Sequence, residues 1–219
     1  MMKKRDQASK KGWKRSLPAL AFFAAFVLWT VLVSTVDVRP IGPLGSSVGF
    51  ATMNGAFHRL TGVHLSLYVL TDWLGLVPIA AMLGFAFLGL CQWATRRSLF
   101  KVDRSLLVLG FIYLALAAAY LLFERISPNF RPLLIDGRLE ESYPSSTTLL
   151  AVTVAVTSML ELRDRIRRPR LRFAVLILAG LFAVLLVFGR VLSGVHWLSD
   201  VIGALLLGLG LVSLYCRLR

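Results

Sequence analysis

The sequence predicts an all-α, polytopic membrane protein, a six-transmembrane-helix bundle with its functional site at the extracytoplasmic face. Three observations carry this. The chain of 219 residues is 57% hydrophobic with a mean hydropathy of +0.74, against roughly 45–50% apolar content in soluble domains. Its apolar residues gather into six runs close to the ~20 residues that cross a hydrocarbon core of ~30 Å. Its cations gather in alternate connections between those runs.

The first run, 17–36, follows a basic segment, so residues 1–16 read as a cytoplasmic tail and 17–219 as one membrane domain. Tail and run together resemble a signal peptide. However, the run is long for one, and Val36-Asp37-Val38-Arg39-Pro40 offers no small-residue cleavage site, so an uncleaved span is expected. The second run is 73–94; the moderately apolar 47–72 before it suits a short surface or re-entrant helix. The third, 105–123, ends ahead of Pro128 and Pro132, which stop helices and stiffen the backbone. The fourth, 145–161, opens on Pro144-Ser145-Ser146-Thr147, with proline and serine where an N-terminal turn favours them. The fifth and sixth runs are 172–189 and 196–215.

A net charge of +14 suggests a polyanionic partner until the cations are placed. Lys3, Lys4, Arg5, Lys10, Lys11, Lys14 and Arg15 precede the first run; Arg96, Arg97, Lys101 and Arg104 join the second to the third. Six arginines between Arg163 and Arg172 join the fourth to the fifth, and Arg217 and Arg219 close the chain. These make nineteen of the 25 Lys and Arg residues, all in segments that an even number of spans puts on one side. The positive-inside rule makes that side the cytoplasm, with both termini there. The charge is therefore a topology signal with some attraction to anionic headgroups, and no nucleic-acid partner is expected. The other side carries Arg39, Arg59, Arg125, Arg131, Arg138 and Arg190, together with His58, His64 and His196. Cys91 and Cys216 fall near cytoplasmic ends, where thiols stay reduced, and read as packing residues. The loops hold no N-glycosylation sequon, as in a bacterial protein, and the expected location is its plasma or inner membrane.

Three outer segments carry chemistry. Arg131-Pro132 lies in ERISPNFRPLLIDGRLEESY, residues 124–143. Its guanidinium suits bidentate capture of phosphate oxygens, or equally a snorkelling interfacial arginine. At Ser145 and Ser146 the free N–H groups of a helix start make an anion site, or simply an N-cap. Arg190, His196 and Asp200 form RxxxxxHxxxD. Four residues apart on a helix, His196 and Asp200 would share a face, and a carboxylate inside a membrane helix is costly without a partner.

In this order, Arg131-Pro132, the Pro-Ser-Ser helix start and RxxxxxHxxxD resemble the type 2 phosphatidic acid phosphatase superfamily, over about 124–205. The resemblance implies a six-helix lipid phosphatase that needs no metal or cofactor. In it His196 attacks phosphorus to form a phosphohistidine, and Asp200 holds the other ring nitrogen. Arg131, Arg190 and the backbone of Ser145 and Ser146 would bind the phosphoryl oxygens. Three departures stand out. Glu124, with Arg125 beside it, replaces the family's lysine seven residues before Arg131, and Gly189 replaces the serine before Arg190. Thr147 stands where the family has its general-acid histidine, and a hydroxyl cannot serve as an acid near neutral pH.

The function expected is hydrolysis of a membrane lipid phosphate or diphosphate, a polyprenyl diphosphate above others, at the outer leaflet. Glu140, Glu141, His58 and His64 are candidate substitute acids, and Asp136, Glu140 and Glu141 form either a cation site or a solvated acidic loop. The rival readings are a lipid-phosphate binding or transport protein that has lost its acid, and a lipid phosphotransferase.

Overall fold

The computed structural model describes residues 2–219, with side chains from Ser16 onward. Eight helices follow one another: α1 (Met2–Thr35), α2 (Ala51–Thr61), α3 (Leu65–Leu74), α4 (Leu76–Arg96), α5 (Arg104–Ile126), α6 (Ser146–Arg165), α7 (Pro169–Leu192) and α8 (Leu198–Leu218). The basic side chains of the tail lie outside the described residues.

Among the described residues, five stretches are long and apolar enough to cross a membrane: Ser16–Thr35, Leu65–Arg96, Arg104–Ile126, Pro169–Leu192 and Leu198–Leu218. The second is longer than the 73–94 expected, because α3 and α4 continue one another across Gly75. The surface or re-entrant helix expected in 47–72 is two helices, α2 and the start of α3. The expected fourth span is α6, which is long enough but too polar to be counted with the five. Thr147, Thr148, Thr153, Thr157, Ser158 and Glu161 are all buried along it. It lies between α7 and α8, where protein rather than lipid surrounds those groups; the Tyr113 hydroxyl lies 3.1 Å from Thr157 Oγ1. By contrast Leu83, Phe87, Leu181 and Phe188 on α4 and α7 are more than 60% exposed, as outward faces of membrane helices must be. The core is built on α5, from Leu106, Leu109, Ile112 and Leu116, against Leu207 and Leu211 of α8.

The two ends of the bundle differ in chemistry. At one end Arg165 bridges Glu161 at 2.7 Å and Asp103 at 3.1 Å, and Asp103 also takes Arg96 at 3.0 Å. Tyr215 donates to Glu161. Gln92, then Arg96 and Arg165, hold the Asp103 carboxyl down at about 2. At this end, ionic groups tie α4, α5, α6 and α8 together.

The other end holds the site. Between α5 and α6 the chain doubles back: Phe130 pairs with Glu141 and Ile135 with Arg138, and Arg131 N–H donates to Glu140 O at 2.9 Å. Asp136 and Gly137 close this hairpin with φ of 49° and 76°, the left-handed pair a tight turn requires and Asp-Gly supplies. Arg131 is thereby set opposite Glu140.

Candidate active site

Asp200 is wholly buried at the third position of α8 and accepts four hydrogen bonds. Oδ2 takes the Trp197 N–H at 3.0 Å and the Ser142 hydroxyl at 2.5 Å. Oδ1 takes Asn129 Nδ2 at 2.8 Å and Ser199 Oγ at 3.2 Å. Burying a carboxylate costs several kcal/mol unless donors replace its water; here those donors come from three segments of the chain. Asn129 is fixed in turn by the Gly49 N–H at 2.9 Å, and Ser199 Oγ accepts from Asn54 on α2 at 2.8 Å.

His196 is not on the helix. It stands in the turn between α7 and α8, two residues before Leu198, so it does not share a helical face with Asp200. Ser142 lies between them: its Oγ is 2.9 Å from His196 Nδ1 and donates to Asp200 Oδ2 at 2.5 Å. The serine has one hydrogen and spends it on the carboxylate, so Nδ1 of the imidazole must carry the proton and donate to Ser142. Nε2 is then the lone-pair nitrogen, buried and without a hydrogen-bond partner. Burial first, then the nearby charges of Arg131 and Arg190, hold the imidazole well below the usual histidine range. It is neutral at pH 7.

His196 lines a cavity of about 290 Å³ with Arg131, Glu140, Glu141, Ser142 and Ser146. Glu124 lines it too, so the departure from the family's lysine puts a carboxylate at the mouth of the site. Arg131 Nε lies 3.1 Å from Glu140 Oε2, an ion pair without hydrogen-bond alignment, and Nη1 is buried without a partner. Arg190, 1% exposed, donates through Nη2 to Thr147 Oγ1 at 2.6 Å and Asp72 Oδ1 at 2.9 Å, leaving Nε without a partner. Both guanidinium groups stack on Tyr68 of α3, their carbons 5.8 Å and 4.9 Å from the ring centre, a cation–π arrangement that holds two like charges close together.

The second segment divides its work. The Ser145 N–H donates to Asp200 O at 3.1 Å and its hydroxyl to Thr148 at 3.0 Å, so Ser145 ties α6 to α8. Ser146, the first residue of α6, faces the cavity. Thr147 does not line it; its hydroxyl is an acceptor for Arg190. Of the expected accessory groups, Glu140 and Glu141 line the cavity, while Arg125 is exposed in the last turn of α5 away from it. His58 and His64 do not line it either. His58 Nε2 lies 3.1 Å from Gly194 O and the His64 N–H donates to Ser193 O at 2.9 Å, so both brace the turn that carries His196. Asp136 sits in the exposed hairpin turn, and no His, Cys, Asp and Glu cluster suited to a metal occurs among the described residues.

Gly189 has a steric reason. A Cβ there would lie 2.5 Å from the Thr71 methyl, so the family's serine has no room. Sequence reasoning missed Ser142, Asn129, Tyr68 and Asp72. Asp72 carried a signal, as the one carboxylate in the apolar stretch 65–96, where a charge demands a partner.

Residues 120–219 match the family model of the PAP2 superfamily. The whole fold is similar to the crystal structure of a transmembrane PAP2-type phosphatidylglycerolphosphate phosphatase from Bacillus subtilis. The TM-score is 0.60 at 22% identity, over 91% of this chain and 94% of that one. No curated protein matches the chain. Residues 120–219, which carry all three motifs, are thus similar to the PAP2 superfamily.

Proposed function

We propose that this protein hydrolyses lipid phosphates, with a preference for lipid diphosphates, through a phosphohistidine on His196. The observation that carries the reading is a neutral, buried imidazole with an unpartnered Nε2, on a residue that lines one cavity with Arg131, whose Nη1 is also unpartnered. Nε2 attacks the terminal phosphorus of the diphosphate as the bond from that phosphorus to the bridging oxygen breaks. The bridging oxygen leaves with the electron pair as a lipid monophosphate. Arg131 and the Ser146 N–H at the start of α6 meet the phosphoryl oxygens, where preorganised donors stabilise developing charge. The imidazole gains positive charge as it is phosphorylated, and Asp200, acting through Ser142, stabilises it. Water then attacks the phosphohistidine and releases inorganic phosphate, and Nε2 regains its lone pair.

Thr147 underlies the diphosphate preference. A monoester expels an alkoxide, about as basic as hydroxide from water of pKa roughly 15.7, and needs a proton donor. A diphosphate expels a phosphate whose second pKa is about 6, and needs none. The positive-inside asymmetry supports a site at the outer leaflet with both termini cytoplasmic.

The test is inorganic phosphate release by purified protein from a panel of lipid diphosphates and monoesters in the presence of EDTA. Release that is faster from diphosphates and unaffected by EDTA is expected. No release from any lipid would leave the binding-protein reading in its place.

A further inference from the structure

Three hollows adjoin one another, the second and third of them in the seam between α4 and α5. The active-site cavity shares Tyr120, Ser146 and Leu149 with a second hollow of about 420 Å³, which has Asp72 and Thr147 at its polar end and Ile79 and Met82 along its apolar walls. Met82 in turn belongs to a third hollow, of about 310 Å³, which reaches Trp93 near the end of α4. A larger hollow between α7 and α8 shares no lining residue with the active site, so continuity singles out the α4/α5 seam.

Two glycines line the third hollow. Small residues in membrane helices ordinarily let a neighbouring helix come close. At Gly89 and Gly110, however, a Cβ would meet nothing within 4 Å, and both line the same space. They keep it open rather than closing it.

We propose that this seam holds the hydrocarbon chain of the substrate and accommodates a chain longer than one leaflet, an inference that rests on the lipid-phosphate reading of the site. From Leu76 to Trp93 the seam runs about 25 Å at a rise of ~1.5 Å per residue, most of a hydrocarbon core of roughly 30 Å. The acyl chains of a glycerolipid end near the midplane and would fill only the upper part. A polyprenyl chain continues past Met82 into the space over Gly89 and Gly110.

The test fills that space. Gly110→Leu and Gly89→Leu add side chains whose Cβ meets no neighbour within 4 Å, and leucine is the better helix former. With undecaprenyl diphosphate, kcat/KM should fall by at least about tenfold in Gly110→Leu, the usual worth of a contested apolar contact. With farnesyl diphosphate, whose chain stays above Met82, it should not change. Equal effects on both chains, or none on undecaprenyl diphosphate, overturn the channel; an equal loss on phosphatidic acid overturns its length. A second arm needs no turnover: undecaprenyl monophosphate binding to His196→Ala protein, with and without Gly110→Leu. If wild type hydrolyses no lipid, the proposed activity fails by itself, and this arm still decides the channel. Weaker binding in the double variant supports it; equal or absent binding overturns it.

Discussion

The imidazole of His196 stays neutral because burial penalises its charged form, and because charging it would place a third cation beside Arg131 and Arg190. A lowered histidine pKa moves the acid limb of kcat/KM, which reports the free enzyme, below the ordinary 6.5. Arg131→Gln removes one of those cations, so the limb should move back up as substrate binding weakens. A wild-type limb at or above 6.5 contradicts this. The same shift has a stability sign: between the two pKa values the unfolded chain holds the extra proton, so stability falls as pH drops below about 6.5. Ser142 should act on turnover rather than binding, because it fixes which ring nitrogen carries the proton. Losing the group that fixes a catalytic histidine's tautomer can cost up to about 10⁴-fold in kcat, and Ser142→Ala should lower kcat by at least about tenfold. Its dissociation constant for a lipid monophosphate should hold; a loss confined to binding would contradict the relay. At Thr147, substitution by histidine should raise monoester turnover more than diphosphate turnover. No selective gain would mean that another acid operates or that departure of the leaving group is not limiting.

Helix packing explains one departure from the family and part of what the sequence concealed. Gly189 lets α7 lie against α3 with Thr71 in the place of a missing side chain. Gly189→Ser should lower the thermal midpoint, since overpacking costs about 1–3 kcal/mol. Adding Thr71→Ser, which removes the obstructing methyl and keeps the hydroxyl, should restore it; no rescue would contradict this contact. Span positions were legible because hydrophobic run length is a physical requirement of the bilayer, and Arg131, Ser146 and His196, which line one cavity, because polar residues at one face stand out in an apolar chain. The start of α8 was misplaced: the apolar run suggested a helix through His196, but Asp200 accepts the Trp197 N–H and caps the helix from inside. Ser142 was not legible, because one serine beside a motif has no periodicity or charge to mark it. The Asp136-Gly137 turn did carry a signal, and it shows how Arg131 reaches the site.

Across the whole molecule, the cation-rich loops and the site lie at opposite ends of the bundle. With Cys91 and Cys216 replaced, a cysteine at Gly137 should react with an impermeant reagent on intact cells and one at Arg167 should not. The reverse pattern would put the site at the cytoplasmic leaflet. The central claim is the phosphoryl group on His196 Nε2, and it is tested by quenching the protein during turnover of a lipid diphosphate labelled at its terminal phosphate. Wild type should carry acid-labile, alkali-stable label, and His196→Ala should carry none and release no phosphate. Label or turnover retained in His196→Ala would contradict the claim.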